Sequence, residues 1–200
     1  MNKRAITAAP VDETIAARWS PRAFDETRLV EPEKLLSVLE AARWAPSCFG
    51  DEPWRYIVCD RFADAASWQS LLACLAEKNQ LWAKHAPVLM VACADSLFRQ
   101  NGKPNRWGQH DTGAASVSLC LQATALGLAS HQMGGFDIDA VRQAFAVPER
   151  FMPMSVIAVG YAGKIDNLHE DFRAMETGER QRQPLGENFF AGAWGKGVKL

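Results

Sequence analysis

Arg18, Ser20 and Arg22 alternate along five residues, and Arg180 and Arg182 alternate near the other end of the chain. Arg18, Ser20 and Arg22 offer two guanidinium groups, a hydroxyl and the main-chain amides of a helix end, while Arg180 and Arg182, in extended chain, point to one face. A guanidinium matches phosphate oxygens two at a time, so the first set could meet a phosphate. A solvated face laced with salt bridges would use the same residues. Met133-Gly134-Gly135-Phe136 follows a short strand-like stretch, 129–132. Its glycines would let main chain approach a flat ligand where a Cβ would not, or simply form a turn before the helix that Asp137 starts. Asn79 lies between two helical stretches, as a turn residue or as an amide aimed at a ligand. Cys48 with His110 and Asp111 has the residue types of a nucleophile, its base and an orienting acid. Nothing in the sequence brings His110 to Cys48, and a histidine followed directly by its aspartate is a poor base-and-orienter pair. A hydrolase is therefore not the reading. Histidines 85, 110, 131 and 169 share no metal-ligand spacing, and no metal centre is expected.

These residues need elements to carry them. An amphipathic helix is expected over 32–45, with Leu35, Leu36, Leu39 and Ala42 on one side. A strand is expected over 54–59. Between them Pro46, Gly50 and Pro53 punctuate a loop placed by rigid elements on both sides, where function is often carried. A short helix should end near Arg18 at Ser20-Pro21. Further helices are expected over 62–75, 79–85, 111–126, 137–145 and 168–176. The apolar runs 87–94 and 154–161 read as strands covered on both faces. The helix over 111–126 has apolar residues on two faces and should be buried nearly all round. Residues 98–109 are polar and broken by Gly102, Pro104 and Gly108, as in a lid or binding loop. Beyond 163 the chain turns polar until Phe189, Phe190 and Trp194, so that tail should dock on something else.

The 200 residues suit one domain, 1–200, with 48% hydrophobic and 22% charged side chains and no internal repeat. A net charge of -1 gives no global field toward nucleic acid or an anionic membrane, so any anion site must be local. Of five cysteines, 59, 74, 93 and 120 fall in apolar strand or helix patterns and read as buried free thiols. No apolar run approaches the roughly 18 residues of a membrane span. Lys3 and Arg4 precede no apolar core of a signal peptide. These features favour the reducing cytoplasm.

The connector Pro46-Ser47-Cys48-Phe49-Gly50-Asp51-Glu52-Pro53-Trp54 resembles the Pro-Ser-Ser-x-Asn-x-Gln-Pro-Trp signature of the nitroreductase family, FMN-dependent NAD(P)H oxidoreductases. Pro46, Ser47, Pro53 and Trp54 match, while Cys48, Gly50 and Glu52 depart from it. Arg18-Trp19-Ser20-Pro21-Arg22-Ala23-Phe24, Leu126-Gly127-Leu128 through Gly135-Phe136-Asp137, and Arg180-x-Arg182 extend the resemblance in the family's order. The resemblance implies a three-layer α+β fold, a central and mostly antiparallel sheet flanked by helices. It also implies a domain-swapped homodimer, with the site at the subunit interface and residues 165–200 reaching across the partner.

By the same resemblance, Arg18, Trp19, Ser20, Arg22, Pro46, Ser47, Cys48, Gly50, Asn79, Gln132, Met133, Gly134, Gly135, Arg180 and Arg182 bind FMN. Main-chain N–H groups of Gly134 and Gly135 serve flavin N5. Trp107, His110 and Phe49 face the substrate. Trp82 stands where the family often has a lysine at the flavin's pyrimidine edge, which would leave Arg22 as the cation there and lower the reduction potential. The implied activity is ping-pong hydride transfer from NADH or NADPH to a nitroaromatic, quinone, activated alkene or aldehyde. The alternative is a flavin-binding carrier, sensor or scavenger with little NAD(P)H turnover.

Overall fold

The structure, a computed structural model, describes residues 3–198. The ends of the expected 1–200 domain, residues 1–2 and 199–200, lie outside them. At its centre is strand β2 (Val88–Asp95), all eight residues of which are buried. Successive side chains on a strand point to opposite faces, and here both faces are covered. Leu89, Val91 and Cys93 enter one core with Trp68, Leu71, Trp82 and Val141. Val88, Met90 and Ala92 enter a second with Val38, Ala42, Leu119 and Ala123. Each large apolar side chain so buried contributes about 1.5–3 kcal/mol relative to exposure.

Strands β1 (Trp54–Asp60), β3 (Ala129–Met133) and β4 (Phe151–Gly160) complete an antiparallel sheet in the order β1-β2-β4-β3. Helices α3 (Ala65–Ala73), α4 (Glu77–Ala83) and α6 (Ile138–Phe145) supply side chains to the first core, and Phe172 joins them from a helix further along the chain. Two helices supply the second: α2 (Pro32–Arg43) and α5 (Gly108–Ala125). The fold is thus α+β in three layers, helices on both faces of an antiparallel sheet.

Local chemistry sets the boundaries. Asp12 caps α1 (Glu13–Ala17), its side chain accepting from the Thr14 N–H at 2.8 Å. Asp64 accepts from the Ala66 and Ser67 N–H groups, so α3 starts after it and not at residue 62. Helix α5 starts at Gly108, three residues before the expected Asp111. One side of α5 is uncovered, contrary to the expectation of burial all round: Val117 is 51% exposed. Past the sheet come α7 (Glu170–Thr177) and α8 (Leu185–Asn188). Leu168, Phe172 and Glu176 are buried in the chain's own body, so the tail leaves the core only after about Arg182. Beyond that point Phe189 and Trp194 are exposed.

Candidate active site: an arginine cradle and an aromatic cluster

Helix α1 ends at Arg18, and the next residues run extended to the bridge between Phe24 and Ala162. Alternation then sorts the side chains. Arg18 and Ser20 line a cavity of about 420 Å³ with Ile15 of α1, Gln132 of β3, and Val117, Cys120 and Leu121 of α5. Trp19, Pro21 and Ala23 turn to the other side and line a separate, smaller cavity with Leu128 and Glu176. Trp19 is therefore placed away from the arginine cradle, with Lys3 Nζ 4.7 Å from its ring centroid.

The arginines do converge. The Arg18 guanidinium lies 3.4 Å from Ser20 Oγ. Arg180 is brought beside it by hydrogen bonds from its Nη1 to the carbonyls of Ala16, at 3.0 Å, and Lys3, at 2.9 Å. Burial, then the like charges of Arg18 and Arg182, hold the Arg180 pKa below its ordinary value. Arg182 is exposed and donates to its neighbour's carbonyl. The Arg22 guanidinium sits 5.7 Å from the Phe172 ring centroid. Crowded like charges with hydroxyl and amide groups nearby are a donor set for a phosphate.

Two residues that hold this cradle carried no signal in the sequence. Glu176 is 2% exposed, and its carboxylate accepts the main-chain N–H groups of Arg22 and Ala23. His131, buried on β3, lies under the same stretch. Sequence reading saw only a short polar helix and a strand residue there.

Gln132 is exposed and borders the cavity, but Met133 points into the first core at 3% exposure and can offer a ligand only its main chain. Gly134 and Gly135 are exposed. A Cβ on Gly134 would meet no protein atom, whereas one on Gly135 would lie 2.8 Å from Asn79 Nδ2. Asn79 donates to the Gly135 carbonyl at 2.9 Å, so the amide and the glycine turn form one unit. Trp82 does not border a cleft. It is fully buried, stacked on Phe24 at 6.2 Å and tilted on His131 at 4.5 Å. The expectation of Trp82 at a cofactor edge is corrected by this burial, because a side chain between two core rings cannot set the charge of a binding cleft.

The second group gathers at the start of α5. The signature loop has left-handed backbone at Phe49 (φ 58), Gly50 (φ 63) and Glu52 (φ 50). Ser47 Oγ steadies it by accepting the Glu52 N–H at 3.1 Å, and Pro46 is exposed at its entrance. Buried Asp51 accepts the Arg99 N–H at 2.9 Å and Asn105 Nδ2 at 3.3 Å, tying this loop to residues 96–107. Buried Asp111 does the same for α5. One oxygen accepts the Cys48 N–H, and the other lies 2.9 Å from His110 Nδ1. Phe49, 83% exposed, meets Phe98 edge-on at 6.1 Å, and Trp107 meets His110 at 6.1 Å. The expected substrate residues are thus together. Ten residues of α5 separate Asp111 from Leu121, about 15 Å at helical rise, so the aromatic cluster and the arginine cradle sit at different stations along one helix. Cys59, Cys74, Cys93 and Cys120 are buried free thiols, and Cys48 is partly exposed. Among the described residues no three metal-ligating side chains gather, and no helix is long and apolar enough to cross a membrane.

Comparison with known proteins agrees with this arrangement. The profile of the Nitroreductase family matches residues 15–161. A relative from Methanothermobacter thermautotrophicus, provisionally named an NADH dehydrogenase/NAD(P)H nitroreductase, is 31% identical over 163 residues, 78% of this chain and 79% of its own. A crystal structure described as an oxidoreductase containing FMN is 34% identical with a TM-score of 0.89, covering 97% of each chain. A nitroreductase family protein from Clostridium difficile 630 is 30% identical with a TM-score of 0.67, over 88% of this chain and 94% of its own. On a three-layer frame shared across nearly the full length, with a family match over most of the residues, this chain belongs to the nitroreductase family.

Proposed function

We propose that the protein is an FMN-dependent oxidoreductase that takes hydride from NADH or NADPH and passes it to an electron-poor acceptor, a nitroaromatic, quinone, or activated alkene or aldehyde. The observation that carries this reading is the convergence of Arg18 and Arg180, with Ser20, beside a cavity of about 420 Å³. A dianionic phosphate fits that donor set, and Arg182 is free to swing onto it. The open space at Gly134 leaves room for a flat ring beside main chain. Bound there, FMN would supply the two-electron chemistry at N5 that neither cluster of side chains supplies. The named chemistry of the family relatives, NAD(P)H and FMN, supports the same reading.

The residues divide the work. Arg18, Ser20, Arg180 and Arg182 bind the charged end, and Asn79 holds the glycine turn in place. Phe49, Trp107 and His110 offer an exposed aromatic surface for the acceptor. The distance of about 15 Å between the clusters along α5 favours an arrangement in which that surface serves the cofactor of a second copy rather than its own. Exposed Val117 and Ile15 are the apolar surface such a copy would cover, with Phe189 and Trp194 of the tail lying across it. The protein works as this homodimer in the cytoplasm, where its five thiols stay reduced. The burial of Trp82 removes one motive for a flavin carrier without turnover, since the absent lysine says nothing about charge in the cleft.

The test is the visible spectrum of pure protein before and after anaerobic NADPH or NADH. A yellow protein that bleaches within seconds and regains colour on adding a quinone is the expected result. Colourless protein that ignores added FMN ends the cofactor assignment, and yellow protein that never bleaches ends the oxidoreductase.

A further inference from the structure

Glu176, the buried carboxylate beneath the cradle, pairs with no cation among the described residues. Glu176 Oε1 and Oε2 lie 3.1 and 3.0 Å from the Arg22 main-chain nitrogen, and Oε1 lies 3.1 Å from that of Ala23. These contacts cross more than 150 residues of sequence, and the carboxylate that makes them is buried. Four residues further on, Arg180 reaches the carbonyls of Ala16 and Lys3. One short stretch of the tail therefore grips the 18–23 segment from both ends: by an acid on its N–H groups and by a base on the carbonyls before it. The Ala23 carbonyl accepts the Gly163 N–H at 2.8 Å, so this main chain is fixed from its opposite side too.

We infer that Glu176 is a positioning residue for the anion cradle, setting the main chain at Arg22 and Ala23 so that Arg18 and Ser20 face the phosphate of the cofactor. The inference rests on the FMN reading above. It makes a prediction whose sign separates it from simple electrostatics. Removing a negative charge close to a phosphate site should tighten a dianion by Coulomb attraction alone. Removing the anchor of the cradle should loosen it. A neutral glutamine also sets a donor NH₂ against the Arg22 N–H at the place where Glu176 Oε2 now accepts it at 3.0 Å, and one carbonyl oxygen must then serve both N–H groups.

The experiment titrates flavin-stripped protein with FMN and, separately, with riboflavin, which has the ring but no phosphate, following flavin fluorescence in wild type and E176Q. The expected result is a Kd for FMN raised about tenfold, the loss of roughly one hydrogen bond to a charged group, with the riboflavin Kd unchanged. FMN binding that is unchanged or tighter overturns the proposal, as does an equal loss for both flavins, which would mean general damage to the fold. If E176Q does not fold, Glu176→Asp withdraws the oxygens by one methylene with the charge kept, and the same outcomes decide. Wild-type protein that binds neither flavin would instead remove the cofactor assignment on which this rests.

Discussion

His131 Nδ1 lies 2.9 Å from the main-chain carbonyl of Pro21, which joins the middle of β3 to the arginine-bearing segment. A neutral imidazole with its proton on Nδ1 donates this bond. Burial first, then the charges of Arg22 and Arg18, push the His131 pKa down to about 4, against the opposing pull of the Pro21 and Ser20 carbonyls.

A folded-state pKa below the usual value of about 6.5 means that the unfolded chain takes up the proton first. The stabilisation is therefore complete above about pH 6.5 and is lost as pH falls toward 4, to the extent of roughly 3 kcal/mol. Urea unfolding at pH 7.5 and pH 4.5 should show this fall in wild type and a smaller one in His131→Gln. Equal falls in both proteins would show that His131 is not the titrating group.

Substituting lysine for Trp82 would restore the residue type that the family often has there, and the structure predicts that this fails. The site is sealed between Phe24 and His131, and an ammonium in it has no partner. The large lost ring and the buried charge should each cost several kcal/mol. Trp82→Lys should express as insoluble or unfolded protein, as read by circular dichroism. A folded variant with a higher flavin potential would show instead that the side chain reaches the cofactor.

Arg18→Ala combined with Arg182→Ala should yield folded, colourless protein, because two of the cations around the cradle are gone and neither has a core role. Absorbance per mole of chain measures the occupancy. Full yellow colour in the double variant would contradict the phosphate site.

Asp111→Ala removes the acceptor of the Cys48 N–H and the partner of His110 together. Leaving a buried donor unmade should cost about 1–3 kcal/mol of stability. The signature loop, already strained by left-handed backbone at Phe49 and Glu52, should loosen and expose its thiol. Faster reaction of Cys48 with an aromatic disulfide is the expected readout. An unchanged rate would mean that the loop is held by Asp51 and Ser47 alone.

The sheet and most helices were legible because their signals are local: continuous apolar runs for β2 and β4, a capping aspartate before α6, a proline opening α2. The long α5 was legible as a helix, but not which side stays open, since its small side chains repeat on every face. Arg180 and Arg182 were legible as a pair from their alternation, whereas the extended course of the chain after Arg18, which turns Trp19 away from it, was not. Glu176 and His131 were not, because their partners are main-chain atoms of a segment over a hundred residues away and no side-chain pattern records them. Trp82 misled for a related reason: a position matched in sequence says what stands there, while packing decides which way it faces.

The left-handed turn at Gly50 gives one of the departures from the family signature a simple meaning. Asparagine is among the few side-chain-bearing residues that enter this region of backbone space readily, and glycine enters it freely. Exchange between the two keeps the course of the chain and deletes only an amide that could hand over or receive a proton bond. A Gly50→Asn protein should therefore keep the path of the loop, since no protein atom beyond its chain neighbours lies within 4 Å of the added Cβ, at a backbone cost of about 1–2 kcal/mol or less.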